Sequence, residues 1–180
     1  IALRGYPVAE ASGYVKALLG FINKHASKQQ KLAVTAAIEH FSSVMSDRFL
    51  RYPAINQVLE PAIREFLVWH CVEEIEHKAV AFDLYQALYG GYFTRIAAML
   101  LVTVFFIPSV FGVQFAYLRH DGELYNRRAW WQAVVHFWFK PGWFSRIPSG
   151  YLPYYLRRFH PWQHDNSKIV KNWIERNDQV

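Results

Sequence analysis

Hydrophobic residues recur every three to four positions along the first half of the chain, which is the period of an amphipathic helix. The pattern predicts helices over residues 9–25, 27–51 and 61–89. Ser27 and Gln30 have the spacing of a capping box, so the second helix is expected to begin there. Long helices joined by short connections favour antiparallel neighbours in a bundle.

Residues 96–118 form an uninterrupted run of 23 uncharged residues between Arg95 and Arg119. A helix of this length can cross the hydrocarbon core of a bilayer. Pro108 and Gly112 lie inside the run, and membrane helices tolerate such residues. We therefore expect insertion or embedding in a membrane, with a helix buried in a soluble core as the alternative.

Two aromatic and basic stretches follow, at residues 127–139 and 151–159, before a last polar helix at 167–177. Tryptophan, tyrosine and arginine suit the membrane–water boundary because each combines an apolar body with a polar tip. The alternative is an aromatic edge of the protein core. We expect one structural domain in which residues 1–92 form a metal-site helical bundle and 93–180 an apolar, membrane-associated helical region packed on it.

The composition narrows the class of protein. Because 53% of its residues are hydrophobic and 18% are aromatic, the chain has enough apolar residues to form a folded core. The single cysteine, Cys71, excludes a disulfide framework and a cysteine-only metal site. The net charge of +6 and the aromatic residues alone do not predict nucleic-acid binding, because no recognised motif accompanies them and the apolar run argues against it.

Localisation follows from the same features. We expect a membrane-associated protein, with the cytoplasm as the alternative. The chain begins with Ile1 and has no signal-peptide pattern, so we expect a fragment or a processed product.

Four polar residues replace apolar ones on a single stripe of the third predicted helix. His70, Glu73, Glu74 and His77 share one helical face, and the residues before and after them on that stripe are apolar. The pattern therefore predicts that the stripe faces the core. Burying unpaired charges is costly, so such residues are expected to neutralise one another or to hold a cation. The apolar residues of the stripe are Ile63, Phe66, Leu67, Val80, Ala81, Leu84 and Leu88.

Glu74 and His77 form a Glu-x-x-His pair one helical turn apart, which can bind a single cation. Ferritin-like di-iron and di-manganese bundles use this pair together with a lone glutamate from another helix. Glu39 is the best candidate for that glutamate, because its helical neighbours are small and leave room for a metal. These neighbours are Thr35, Ala36, Ser42, Ser43 and Ser46. The alternatives are a solvated Glu39 and a buried ionic network at residues 70–77.

Other polar residues are assigned by helical phase. Glu76 falls on another face and is predicted to be solvated, while His40 points away from Glu39 and is predicted to be structural or to support the ligands. His160, His164 and Asp165 form a second candidate ligand set, with a solvated surface loop as the alternative.

Residues 35–41 and 69–83 resemble the bacterial family named predicted metal-dependent hydrolase, which is similar to ferritin-like di-iron proteins. The resemblance continues to residues 159–162 and covers most of the chain. It implies an all-α fold: a partial ferritin-like antiparallel helical bundle followed by a long apolar helix and aromatic, basic C-terminal helices. It also implies a metal site using Glu39, Glu74 and His77, with Glu73 and His70 close by.

Family members carry a further acidic helix and a Gln-Glu-x-x-His-like segment upstream, and nothing equivalent precedes Glu39 here. Half of the usual ligand set is thus expected to be absent from this chain. Either it was removed, or a second chain or another copy of this chain completes the site, or this form binds metal incompletely.

The sequence leaves two functional hypotheses. The first is a metal-dependent enzyme with one or two ions, in which carboxylate-rich ligation favours Fe or Mn over Zn. If hydrolytic, it activates a water molecule and uses Glu73 as the catalytic proton relay; if oxidative, it is a di-iron oxidoreductase. A small, lipid-like substrate suits the apolar second half. The second hypothesis is a non-catalytic, membrane-associated helical subunit with a structural His/Glu network.

Overall fold

The computed structural model describes residues 5–57, 59–140 and 142–177, and all regular structure in these ranges is helical. This confirms the all-α prediction. The α-helices are α1 (Val8–His25), α2 (Lys28–Arg51), α3 (Pro53–Asn56), α4 (Pro61–His77), α5 (Val80–Leu88), α6 (Tyr92–His120), α7 (Arg127–Val134), α8 (Pro148–Tyr151) and α9 (Ser167–Asn177). A π-helical turn continues α7 over Val135–Phe139, and short 3₁₀ turns occur at Phe144–Arg146, Leu152–Tyr155 and Pro161–Gln163.

Helix α2 is the central element of the fold. Its N-terminus has the predicted capping box, in which Gln30 N donates to Ser27 Oγ at 3.2 Å and Ser27 N donates to Gln30 Oε1 at 2.9 Å. It packs antiparallel to α4 and α5, as the bond from Ser42 to Glu74 illustrates, and alongside α6 on another side. Alanines at 33, 36 and 37 are fully buried and let the neighbouring helices approach closely.

One hydrophobic core contains residues that precede position 92 in the sequence and residues that follow it. The side chains from α2 meet aromatic residues of α5 and small residues of α6, and the segment after α8 closes over them. The buried residues outside α2's alanines are Phe41, Ala81, Phe82, Tyr85, Ala98, Met99, Val102, Tyr154 and Phe159. The second aromatic stretch, 151–159, therefore supplies a core edge.

The single helix predicted over residues 61–89 is wrong, because the chain turns at Lys78 and Ala79 between α4 and α5. Tertiary hydrogen bonds hold this turn. Lys78 is buried and its Nζ donates to His164 O at 2.8 Å and to Asn166 Oδ1 at 2.6 Å. At the start of α5, where backbone N–H groups lack helical acceptors, Ala81 N donates to Glu39 Oε2 at 3.2 Å.

The stripe predicted to face the core is mostly uncovered in the described chain. Ile63, Phe66 and Leu88 are each more than half exposed. Helix α4 instead buries Cys71, Val72 and Ile75. Its apolar residues occupy two sides of the helix, and the side that is buried is the one that the sequence pattern did not favour.

The long apolar helix is confirmed as α6, which continues through Pro108. It is long and apolar enough to cross a membrane, and only 17% of its most apolar window is buried within the protein. A core helix of a soluble domain would be mostly covered, whereas Phe93, Val104 and Phe111 are exposed. The first aromatic stretch behaves similarly, with Trp131 and Trp138 exposed.

Candidate metal centre

The polar face of α4 carries two pairs of side chains that its helical spacing brings together. His70 Nε2 lies 3.6 Å from Glu74 Oε1, and His77 Nε2 lies 3.7 Å from Glu73 Oε2. Both pairs are four residues apart, so each spans one turn. The imidazoles are open to solvent, with side-chain exposures of 52% for His70 and 60% for His77. We refer to these four residues as the His/Glu cluster.

Glu39 reaches this cluster from α2. Burial raises the pKa of the Glu39 carboxyl, and the Glu74 charge raises it further, against the opposing effects of the Ala81 N–H and of His77. Ser42, one turn beyond Glu39 on the same helix, donates a hydrogen bond to Glu74 Oε2. The side chains of Glu39, Glu74 and His77 therefore interact electrostatically across the α2–α4 interface.

The donor set fits a metal in its chemistry. Carboxylate and imidazole groups on two adjoining helices are the ligands of carboxylate-rich metal sites. The repulsion between Glu39 and Glu74 is the charge arrangement that a cation would relieve. In their present positions, however, no three or more His, Cys, Asp or Glu side chains among the described residues are close enough to hold an ion. The His/Glu cluster and Glu39 are therefore a candidate half-site and not a formed ligand set.

Glu39 has a role that the sequence pattern did not reveal. It was expected either as a metal ligand or as a solvated carboxylate, and its Oε2 atom also accepts the backbone N–H of Ala81. Glu39 thereby caps the first turn of α5. The signal that could have identified this role is the helix break after His77, which sequence periodicity concealed.

His40 packs into the core, away from the cluster. Its Nε2 lies 3.2 Å from Gly150 O, and its ring stacks on Tyr154 with centroids 4.8 Å apart. Burial lowers the pKa of His40 to about 4, so the imidazole is neutral near pH 7. Its position agrees with the structural role expected for it. Glu76 is exposed, as expected from its helical phase.

His160, His164 and Asp165 do not gather into a second ligand set. His160 Nε2 pairs with Asp83 at 2.8 Å, and His164 Nε2 lies 3.3 Å from Asp47 Oδ1. Asp165 instead accepts the backbone N–H of Ser167 at 3.0 Å. These contacts attach the C-terminal segment to α2 and α5.

A buried ionic network adjoins the cluster, and the sequence did not predict it. Asp47 is 1% exposed and accepts from Arg51 Nε at 3.0 Å. Burial opposes ionisation of Asp47, but hydrogen bonds from His164 and Arg51 outweigh it and hold its pKa below the ordinary value. We call Asp47, Arg51, Lys78, His164 and Asn166 the anchor network.

Comparison with known proteins gives one family match. A family model described as "Predicted metal-dependent hydrolase" matches residues 1–165. No curated protein and no solved structure matches the chain.

Proposed function

The chain belongs to the predicted metal-dependent hydrolase family, and from this premise we propose that it is a hydrolase whose metal ligands are Glu39, Glu74, His77 and His70. One observation carries the proposal: Ser42, one turn beyond Glu39 on α2, is hydrogen-bonded to Glu74 on α4, so Glu39 and the Glu-x-x-His pair border the same interface. A carboxylate on one helix facing a Glu-x-x-His pair on its antiparallel neighbour is typical of ferritin-like sites.

The proposed metal is Fe or Mn, as one or two ions. Oxygen and imidazole donors suit these metals, whereas structural zinc sites favour thiolates, and the chain's one cysteine is a buried thiol. When bound, the metal would supply Lewis-acid activation of a water molecule and of the bond to be hydrolysed.

Each residue of the site has a distinct task in this proposal. Ser42 holds the Glu74 carboxylate by its hydrogen bond. Glu39 uses Oε2 for the α5 cap, which leaves Oε1 available to a cation. Glu73, which is 37% exposed and lies beside His77, accepts the proton from the attacking water and delivers it to the leaving group.

We propose that another polypeptide completes the site, either a second copy of this chain or a different chain. The exposed apolar side chains that flank the cluster, such as Phe66 and Val80, support a protein partner at this face. Such a partner would cover the cluster and add ligands to the half-site.

We also propose that the protein acts at a bacterial membrane on a lipid-like substrate. Support comes from the length, apolar composition and exposure of α6. The aromatic and basic stretch after it, with exposed Trp131 and Trp138, suits the lipid headgroup region.

Hydrolysis of chromogenic probes tests the proposed function. The protein in its membrane preparation is assayed with p-nitrophenyl esters and with p-nitrophenyl phosphate, before and after chelation and with Fe²⁺ or Mn²⁺ restored. We expect metal-dependent hydrolysis that falls by about 100-fold or more in Glu73→Gln. Glu76→Gln, an exposed glutamate on the same helix, is the matched control and should retain activity. Hydrolysis that survives chelation unchanged would overturn the proposal.

A further inference from the structure

A cavity of about 270 Å³ lies between α2, α4 and α6 and is lined on one side by two members of the His/Glu cluster. His70 and Glu74 belong to its α4 wall, whereas Val102 and Phe106 form its α6 wall. Trp143, from the segment after α7, also lines the cavity. We call this space the α4–α6 cavity.

The two walls differ in polarity. On the α4 side, Glu74 is hydrogen-bonded to Ser42, so carboxylate, imidazole and hydroxyl groups lie together. On the α6 side, Phe106 packs against Phe41 with ring centroids 4.9 Å apart. A ligand matching this cavity therefore has a polar group at one end and a hydrocarbon portion at the other.

The volume limits the size of that hydrocarbon portion. An apolar cavity of about 150 Å³ accommodates benzene, so 270 Å³ has room for about ten carbon atoms. The cavity is open on one side, so carbon atoms beyond these would extend out of it.

We propose that the α4–α6 cavity binds a straight hydrocarbon chain of about ten carbons whose polar end group lies beside His70 and Glu74. The inference rests on the proposed function and deepens it, since it names single-chain acyl or alkyl amphiphiles as the substrate class. One wall of the cavity belongs to α6, the helix that is apolar enough to cross a membrane. This position suits a hydrocarbon chain that enters from a lipid phase.

Straight-chain alcohols test the cavity without any catalytic step. Chelator-treated protein in its lipid carrier is titrated calorimetrically with 1-hexanol, 1-octanol, 1-decanol and 1-dodecanol, with the empty carrier as blank. We expect the affinity to rise about fourfold per methylene, the factor for burying one CH₂ group. The rise should stop near decanol, where the cavity is full.

Two substitutions locate the binding. Ile38 lines the cavity and is partly exposed, so Ile38→Trp should fill the space without disturbing the core and abolish the saturable binding. Ile63→Trp, at an exposed position of α4 outside the cavity, is the matched control and should leave it intact.

The inference fails if the affinity does not depend on chain length, or if Ile38→Trp binds decanol as the parent does, because both results indicate partition into the carrier. It also fails if another polypeptide fills the cavity and excludes the alcohols. Since the titration is done without metal, its failure alongside intact metal-dependent hydrolysis removes only the cavity proposal. Saturable binding in a chain that takes up no metal would support the cavity and overturn the proposed hydrolase.

Discussion

Two groups of charged residues lie on or beside α2, and they differ in how closely their side chains are paired. In the anchor network, Asp47 and Lys78 are almost completely buried and make hydrogen bonds of 2.6 to 3.0 Å to Asn166 and Arg51. In the His/Glu cluster the pairs stand 3.6 and 3.7 Å apart and the imidazoles are more than half exposed.

The difference separates a structural role from a functional one. Buried charges with close partners hold elements together, and the anchor network fastens the C-terminal segment to α2 and to the turn after α4. Exposed carboxylates and imidazoles with loose partners contribute little to stability. Under the proposed function, the cluster holds a cation.

Asp47→Ala should produce the largest loss of stability. It leaves the Arg48 guanidinium, which is 9% exposed, and the partly exposed Arg51 and His164 without their shared partner, so the free energy of unfolding should fall by about 3 kcal/mol. Urea unfolding followed by circular dichroism measures it. Asp83→Ala is the control, because that side chain is exposed and pairs with His160 at the surface. Equal losses in both variants would contradict the structural role of the network.

His40→Phe should flatten the dependence of stability on acid. The folded pKa of about 4 lies below the ordinary value of 6.5, so the unfolded chain binds more protons between these limits. The contribution of His40 to the free energy of unfolding is therefore fully present above pH 6.5. About 3 kcal/mol of it is lost as the pH falls toward 4.

Unfolding at several pH values compares His40→Phe with His70→Phe, a change in an exposed imidazole. The first should lose much of the slope between pH 6.5 and 4, and the second should keep it. A slope that is unchanged in His40→Phe would show that other groups cause the acid sensitivity.

Two substitutions at Glu39 separate its role as the cap of α5 from its proposed role as a metal ligand. Glu39→Ala removes the acceptor for Ala81 N and should cost about 1 kcal/mol. Glu39→Gln keeps an acceptor and removes the charge near Glu74, so it should not destabilise the metal-free protein at pH 7.

The pKa of Glu39 is raised, so the folded chain holds the carboxyl proton more tightly than the unfolded chain does. The resulting stabilisation is present at low pH and is lost as the pH rises through the folded pKa. The His40 contribution is common to both proteins, so thermal unfolding at pH 4.5 and pH 7 should show a larger gain in stability, or a smaller loss, in Glu39→Gln than in the parent as the pH rises. Strong destabilisation by both substitutions would assign Glu39 a structural role alone.

His77→Ala should have the smallest effect on the metal-free protein. The imidazole is 60% exposed and its contact with Glu73 is long, so the change should be within about 0.5 kcal/mol. Urea unfolding in the presence of chelator checks it. A loss as large as that of Asp47→Ala would place the cluster with the structural networks.

Local signals predicted much of this fold. The capping box at Ser27 and the uncharged run within α6 are encoded by neighbouring residues, and both elements form as expected. The turn after His77 was missed because Lys78 is held by residues more than 80 positions away. Which apolar side of α4 is buried was also missed, since periodicity cannot choose between two apolar sides.

The candidate site was predicted to a similar degree. Helical spacing predicted that His70, Glu73, Glu74 and His77 share one face of α4. In the structure His70 pairs with Glu74 and His77 with Glu73, whereas the sequence had singled out Glu74 and His77 as a pair. The cap that Glu39 provides and the cavity beside Glu74 depend on how three helices meet, and no local pattern encodes that.

Elemental analysis of the protein purified from its host without added metal tests the central claim most directly. The account predicts near-stoichiometric Fe or Mn in the parent and in Glu76→Ala, and loss of that metal in both His77→Ala and Glu39→Ala with helicity unchanged. Absence of metal from the parent, or its retention in both of those variants, would contradict the claim that the His/Glu cluster and Glu39 form a metal site.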